Sequence, residues 1–123
     1  MLIGDFCTTS QPTLKEDTVV TRLKWNESHA IFKGHFPGQP VVPGVCMIQL
    51  VMEVMEAALG KRLQLLRSDN IKFLHFIDPG VHQDVDMQIR FTHPDEKSLS
   101  VSASLQKNDL TFFRFQGNYL KAG

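Results

Sequence analysis

The chain has 123 residues, 42% of them hydrophobic, and its 13 basic and 13 acidic residues balance to a net charge of zero. This length predicts one domain over residues 1–123 that buries a core without disulfides or metals. The balanced charge argues against nucleic acid or a membrane surface as a partner. Two cysteines, no transmembrane stretch and no leader pattern at the start make the cytoplasm the expected location.

Alternation of apolar and polar side chains predicts most of the chain to be β-structure. The first fifteen residues predict a loop or a short helix, and 26–33 a turn with a short apolar approach. A turn is also expected at 68–70, where Ser, Asp and Asn follow one another. The strands are predicted over 18–25, 62–66, 71–77, 81–92, 99–106 and 110–115.

The segment between the first two long strands has a different character. Residues 34–43 are rich in proline and glycine, which predicts a rigid, irregular loop. Residues 44–59 are apolar around nearly the whole helix circumference, which predicts a buried central helix that Gly60 ends. One buried helix with five or six antiparallel strands predicts an α+β fold, with the sheet wrapped around the helix. Long sheet edges make a homodimer the expected assembly.

Three polar residues of the predicted helix lie on one side. Gln49, Glu53 and Glu56 are spaced i, i+4, i+7, which confines them to a narrow arc of roughly 60°. A carboxylate on a buried helix has to be paired, hydrated or functional, because an isolated buried charge is unfavourable. The pattern alone favours a stripe that touches solvent or a subunit interface.

The loop and the helix start resemble the 3-hydroxyacyl-acyl-carrier-protein dehydratases of fatty-acid synthesis, a hotdog-fold family. The resemblance rests on a GHFPGxPVxPGV pattern, which this chain matches from Gly34 to Val45, and it extends over about 18–119. It implies a hotdog dimer with one continuous sheet and tunnel-like sites at the interface. Some members of the family assemble further into hexamers. The implied partner is an acyl carrier protein bearing the acyl chain.

The same resemblance assigns roles to residues of the motif. It implies that His35 is the catalytic base and that the Gly44 amide binds the thioester carbonyl, with Phe36, Pro43 and Val45 as further substrate-binding positions. These roles agree with the chemistry of a neutral histidine and of free amides at a helix start. No metal or redox cofactor is implied, and the histidine spacing does not suggest a metal site.

The chain departs from the family at its second catalytic position. Five residues after the glycine that corresponds to Gly44, the family carries an acid, which the partner subunit contributes to the site. Four residues later the family carries a glutamine. Here Gln49 stands at the acid position and Glu53 at the glutamine position. A glutamine amide can hold a hydroxyl, but it is not an acid that can expel the hydroxyl as water. Glu53 is therefore a candidate surrogate acid, acting through a water or by polarising Gln49.

Three functions follow from this pattern. The leading prediction is a dehydratase-like enzyme that converts 3-hydroxyacyl thioesters of acyl carrier protein into trans-2-enoyl thioesters and water. Its activity is expected to be weakened because Gln49 replaces the acid. The alternatives are a non-catalytic acyl-binding partner of an active dehydratase and a hotdog thioesterase. The sequence does not specify the acyl-chain length.

Overall fold

The computed structural model describes residues 1–34 and 38–122. Its elements follow the chain as β1 (Cys7–Thr9), β2 (Thr13–Lys15), β3 (Thr18–Trp25), α1 (Ala30–Gly34), α2 (Gly44–Leu59), β4 (Arg62–Phe73), β5 (Asp84–Thr92), β6 (Ser98–Lys107) and β7 (Leu110–Ala122). The strands form one antiparallel sheet in the order β1-β3-β5-β6-β7-β4, with β2 paired to β3. The predicted α+β class is confirmed.

The core lies between α2 and one face of this sheet. Along β5 and β6 every second side chain is buried, as the alternation in the sequence predicts. From the helix side, the fully buried residues are Leu50, Val51, Val54 and Met55. The helix has the bounds expected from the sequence, and Gly60 ends it in the left-handed conformation (φ 64°) with its N–H donating to the Glu56 carbonyl.

Two stretches differ from the sequence-based prediction because tertiary pairing overrides the local signals. The turn expected at 68–70 is wrong: β4 runs through it as one strand along β7, with register shifts between Leu65 and Arg67 and between Ser68 and Asn70. These irregularities absorb the Ser-Asp-Asn sequence without breaking the strand. Within the first fifteen residues, where a loop or a short helix was expected, Cys7–Thr9 and Thr13–Lys15 form two short strands on β3, and the other residues lie outside the strands.

Strand β5 begins later than expected, at Asp84. The amides of Val81 and His82 donate to the Asp78 carbonyl (3.1 and 2.8 Å), so the turn that follows Ile77 takes up the start of the predicted strand. The segment 26–33 leads from the expected turn into the one-turn helix α1, which continues to Gly34. The predicted helix and the strand β3 need no such correction.

Candidate active site at the start of the central helix

The first turn of α2 presents backbone donors without acceptors. Pro43 stands at the N-cap in an extended conformation, and no side chain caps the helix. The amides of Cys46 and Met47 donate to the Pro43 carbonyl (3.0 and 3.3 Å). Among the described residues, no acceptor outside the helix meets the amides of Gly44 and Val45. Free amides at the positive end of a helix dipole are suited to bind a carbonyl oxygen or a developing oxyanion.

An apolar cleft of about 510 Å³ opens at this helix start. One wall is the approach to the helix and the other is the segment that follows β4. The two walls are joined where the Val42 amide donates to the Ile77 carbonyl (2.9 Å). Apolar concave surfaces with a few polar groups are typical of small-molecule sites. The cleft is lined by Val41, Val42, Pro43, Gly44, Met47, Phe73, Leu74, His75 and Phe76.

Phe73 closes directly over Gly44. A Cβ built at Gly44 would lie 2.6 Å from Cζ and 2.8 Å from Cε1 of the Phe73 ring, closer than real side chains approach. A side chain at position 44 would therefore force the ring at the end of β4 to shift, because the ring occupies the volume next to Gly44. Phe73 also stacks on Phe113, with 5.3 Å between ring centroids, which holds the ring in place.

The polar stripe of α2, formed by Gln49, Glu53 and Glu56, is not uniformly exposed. Glu53 is 1% exposed and accepts four hydrogen-bond contacts from three donors. The Leu2 amide donates to both carboxylate oxygens (3.0 Å each), and the Ile3 amide donates to Oε1 (2.9 Å). Gln49 Nε2 donates to Oε2 (3.0 Å). The expectation of a solvent-facing or interface stripe is therefore wrong for Glu53, which is buried and paired within the chain.

Towards the other end of the stripe, Glu56 is also bound to backbone. Its Oε2 accepts the Leu63 amide (3.0 Å), which ties the end of α2 to the start of β4. Gln49, one turn before Glu53, is half-buried. Of the three polar residues, only Gln49 accepts no side-chain hydrogen bond from any described residue.

Two buried thiols lie near this helix. Burial raises the pKa of the Cys7 thiol to about 12, and the Glu53 carboxylate and Cys46 add to this shift. Burial also raises the pKa of Cys46, in the first turn of α2, where the helix dipole alone would lower it. Both cysteines are free, and both are buried. Their raised pKa values are those of packing residues and not of nucleophiles.

Residues 11–116 match the model of a protein family described as ApeI-like, ApeI dehydratase. This match covers most of the chain. The chain belongs to the ApeI-like dehydratase family. The membership agrees with the resemblance that the loop and helix motif indicates, and it includes the whole of the cleft and of α2.

Curated relatives of this family member are similar over a shorter stretch. The 3-hydroxyacyl-[acyl-carrier-protein] dehydratase FabZ of Rickettsia typhi is 33% identical over 86 residues, which cover 60% of this chain and 58% of the relative. The FabZ of Rickettsia felis is 33% identical over 69 residues, covering 46% of this chain and 48% of the relative. The chain thus spans about half of the length of the curated relatives it matches.

Solved structures confirm the predicted hotdog fold. The dehydratase heterocomplex ApeI:P of Xenorhabdus doucetiae superposes with a TM-score of 0.72 at 22% identity, covering 96% of this chain and 99% of that one. A mutant thioesterase of Staphylococcus aureus superposes with a TM-score of 0.70 at 11% identity, covering 94% and 93%. At these identities the likeness establishes the fold and not the activity.

Within this family member, the structure brings some of the predicted site residues together. Gly44 and Pro43 line the apolar cleft, whereas Val45, which is 76% exposed, does not. Gln49 contacts Glu53, and the catalytic roles of both residues stay predictions. His35 and Phe36 lie outside the described residues, so their roles as base and substrate contact stay predictions.

Sequence reasoning missed two parts of the site. One is the contact of Phe73 with Gly44, since the family resemblance includes Phe73 but gives it no role there, and the other is the pair of amides from Leu2 and Ile3 on Glu53. Neither leaves a signal in the local pattern, because both are contacts between segments far apart in sequence. Among the described residues, no group of three or more His, Cys, Asp and Glu side chains could hold a metal ion. The helices in 1–34 and 38–122 include none long and apolar enough to cross a membrane.

Proposed function

We propose that the protein binds 3-hydroxyacyl thioesters of an acyl carrier protein and converts them, at a modest rate, into trans-2-enoyl thioesters and water. The observation that carries the proposal is the cleft itself, in a chain of a dehydratase family: the amide of Gly44, which lines the cleft, and the adjoining amide of Val45 meet no acceptor outside the helix among the described residues. The amides would hold the thioester carbonyl, and the apolar walls would hold the start of the acyl chain.

The proposed reaction removes water across carbons 2 and 3 of the acyl chain. His35 takes the proton from the carbon next to the carbonyl, and the electrons of that bond form the new double bond. The bond between carbon 3 and its hydroxyl oxygen breaks, and the leaving oxygen takes a proton from solvent to become water, while His35 returns to solvent the proton that it accepted. Gln49 supplies a hydrogen bond at this point but no acidic proton, which accounts for the modest rate. Glu53, the predicted surrogate acid, accepts two backbone amides and the Gln49 amide, and these contacts favour an acceptor role.

The experiment follows enoyl thioester formation from 3-hydroxyacyl carrier thioesters of several chain lengths. His35→Ala should abolish the reaction, while His93→Ala, at an exposed turn position, serves as the matched control and should leave it intact. Enoyl formation that persists in His35→Ala contradicts the assigned base. Release of free acid and carrier thiol without enoyl product would instead identify a thioesterase.

A homodimer is the proposed assembly. Strand β4 lies at one edge of the sheet, and nearly all of its twelve residues are exposed, including Leu65, Leu66 and Phe73. A long edge strand with unpaired backbone groups and exposed apolar side chains favours pairing with a second chain. Pairing of β4 with its copy would continue the sheet and bring the cleft beside Phe73 to the interface.

A second candidate is a binding partner in a heterocomplex, which the absence of an acid at Gln49 favours. If each site combines a histidine from one subunit with the acid of the other, a homodimer of this chain has His35 opposite Gln49 in both sites. Pairing with an acid-bearing relative would give one site with His35 and a true acid. The solved ApeI:P structure is a dehydratase heterocomplex.

The two candidates separate in a mixing experiment. The heterocomplex role requires stable association with an acid-bearing family member and enoyl formation by the mixture well above that of either protein alone. In that mixture, His35→Ala in this chain should remove the added activity. A strong homodimer that neither exchanges subunits nor gains activity on mixing contradicts this role.

A further inference from the structure

The carboxylate of Glu53 determines which end of the Gln49 amide faces inward. An ionised carboxylate offers only acceptor oxygens, so the group that meets Oε2 at 3.0 Å must be the Gln49 NH₂. Both nitrogen protons therefore lie at the inward end of the amide. The carbonyl oxygen of Gln49 lies at the other end, where no described residue donates to it.

Glu53 cannot easily turn to release this contact. It is 1% exposed, and its two oxygens are held by the Leu2 amide, while the Ile3 amide fixes Oε1. These donors belong to backbone at the edge of the core, where the neighbouring Phe6 and Cys7 are fully buried. The carboxylate is thus oriented from the N-terminal segment, and Gln49 takes its orientation from the carboxylate.

We propose that Glu53 is a positioning residue that makes Gln49 present an acceptor oxygen to the ligand, and that the site therefore selects 3-hydroxyacyl over 3-oxoacyl thioesters. A 3-hydroxyl can donate a hydrogen bond to this oxygen. A 3-oxo group has only acceptor lone pairs and would face the amide oxygen without a proton between them. The inference rests on the proposed function, because it assumes that carbon 3 of the acyl chain reaches Gln49.

The variant Glu53→Gln tests this with a nearly unchanged shape. Its amide oxygen can still accept the Leu2 and Ile3 amides, and this places its NH₂ towards Gln49. Gln49 must then turn its oxygen inward to accept, so that its NH₂ becomes the outward group. Glu56→Gln makes the same chemical change three residues later on the same helix, away from Gln49, and is the matched control.

The measurement is the ratio of dissociation constants for 3-oxoacyl and 3-hydroxyacyl carrier thioesters of equal chain length. The unmodified protein should favour the 3-hydroxyacyl form roughly tenfold, the usual range for one hydrogen bond gained or lost. Glu53→Gln should reverse this preference, and Glu56→Gln should leave it unchanged. A general loosening of the helix would weaken both ligands equally, and a ratio that stays the same in Glu53→Gln would overturn the proposal.

A second measurement separates this inference from the proposed function. The side-chain NH₂ signals of Gln49 in NMR spectra, assigned by their loss in Gln49→Leu, should show slow proton exchange in the unmodified protein and fast exchange in Glu53→Gln. Equal, fast exchange in both proteins would overturn the orientation by Glu53. If the exchange behaves as expected but neither thioester binds, the acyl-binding function and the selectivity are wrong, while the orientation of Gln49 stands.

Discussion

The two halves of helix α2 differ in how their polar groups are satisfied. In the second half, Glu53 and Glu56 each accept backbone amides, and the αL residue Gly60 closes the last turn. In the first half, the amides of Gly44 and Val45 meet no acceptor among the described residues outside the helix. Buried or half-buried polar groups are usually paired, so the half in which they are left free is the half expected to bind a ligand.

The difference also explains why a carboxylate on this helix is not by itself an acid for catalysis. Glu53 belongs to the closed half: it organises the N-terminal segment and the amide of Gln49. Gln49 belongs to the open half but has no acidic proton. The chain keeps one amide and one carboxylate in contact: the carboxylate is bound to backbone amides, and in the proposed function the amide faces the ligand.

The largest expected effect comes from exchanging these two groups. In Gln49→Glu combined with Glu53→Gln, the new glutamine can still accept the Leu2 and Ile3 amides and donate to the new carboxylate. An acid then stands in the open half, and general acid catalysis typically contributes about 10²–10⁴-fold. Enoyl formation should rise by roughly 10²-fold or more, measured as the initial rate with a 3-hydroxyacyl carrier thioester.

Two controls accompany the exchange. Adding His35→Ala should remove the gain, since the acid works together with the base. Gln49→Glu alone places two carboxylates in contact, and its free energy of unfolding should be lower than that of the double variant by about 1–3 kcal/mol. A double variant that turns over no faster than the unmodified protein would show that position 49 does not face the reacting hydroxyl.

The second prediction removes the carboxylate from the closed half. Glu53→Leu leaves the amides of Leu2 and Ile3 without their acceptor, and should lower the free energy of unfolding by about 3 kcal/mol. Glu53→Gln should lower it by about 1 kcal/mol, because the amide oxygen still accepts. Chemical denaturation checks both values. Equal losses in the two variants would mean that Glu53 contributes charge and packing and not an acceptor for these amides.

The third prediction compares the glycines at the two ends of the helix. Gly44→Ala forces a methyl group against Phe73 and should cost about 1–3 kcal/mol, the range for overpacking, with weaker acyl-thioester binding. Gly60→Ala has free space but needs φ 64°, so it should cost about 1 kcal/mol and leave binding unchanged.

A matched double variant tests the steric cause. The double variant Gly44→Ala, Phe73→Leu replaces the ring by a smaller side chain. It should recover most of the lost stability, as followed by thermal or chemical denaturation. If Gly44→Ala is as stable as the unmodified protein, Phe73 moves freely and does not hold the wall of the cleft.

Patterns within short stretches of the sequence predicted the bounds of the helix and the buried faces of three strands. The run from Pro43 to Gly60 contains both boundaries of α2, and the alternation along β3, β5 and β6 assigns the buried face. Local signals were wrong at 68–70, where pairing with β7 carries the strand through a turn-like sequence.

The candidate site was predicted in part for the same reason. The motif assigns substrate binding to Gly44 and Pro43, and both residues line the cleft at the helix start, although their substrate-binding role stays a prediction. The partners of Glu53 are about 50 positions away in the chain, and no pattern within the helix reveals them. A buried carboxylate therefore looked like an exposed one, and its role as an acceptor became visible only with the fold.

The smallest expected effect concerns the thiols beside the helix. The Cys7 thiol has a pKa of about 12 in the folded protein against 9.0 for an ordinary thiol, so it stays protonated where the unfolded chain releases the proton. Its contribution to stability is complete below about pH 9 and is lost as the pH rises towards 12. Between about pH 8 and pH 10 the free energy of unfolding should fall by about 1 kcal/mol because of this residue.

The variant Cys7→Ala should reduce this alkaline fall in the free energy of unfolding by that amount, whatever its effect on stability at neutral pH. A slope unchanged in Cys7→Ala would place the alkaline loss elsewhere, with Tyr119, whose buried hydroxyl also has a raised pKa, as the next residue to replace.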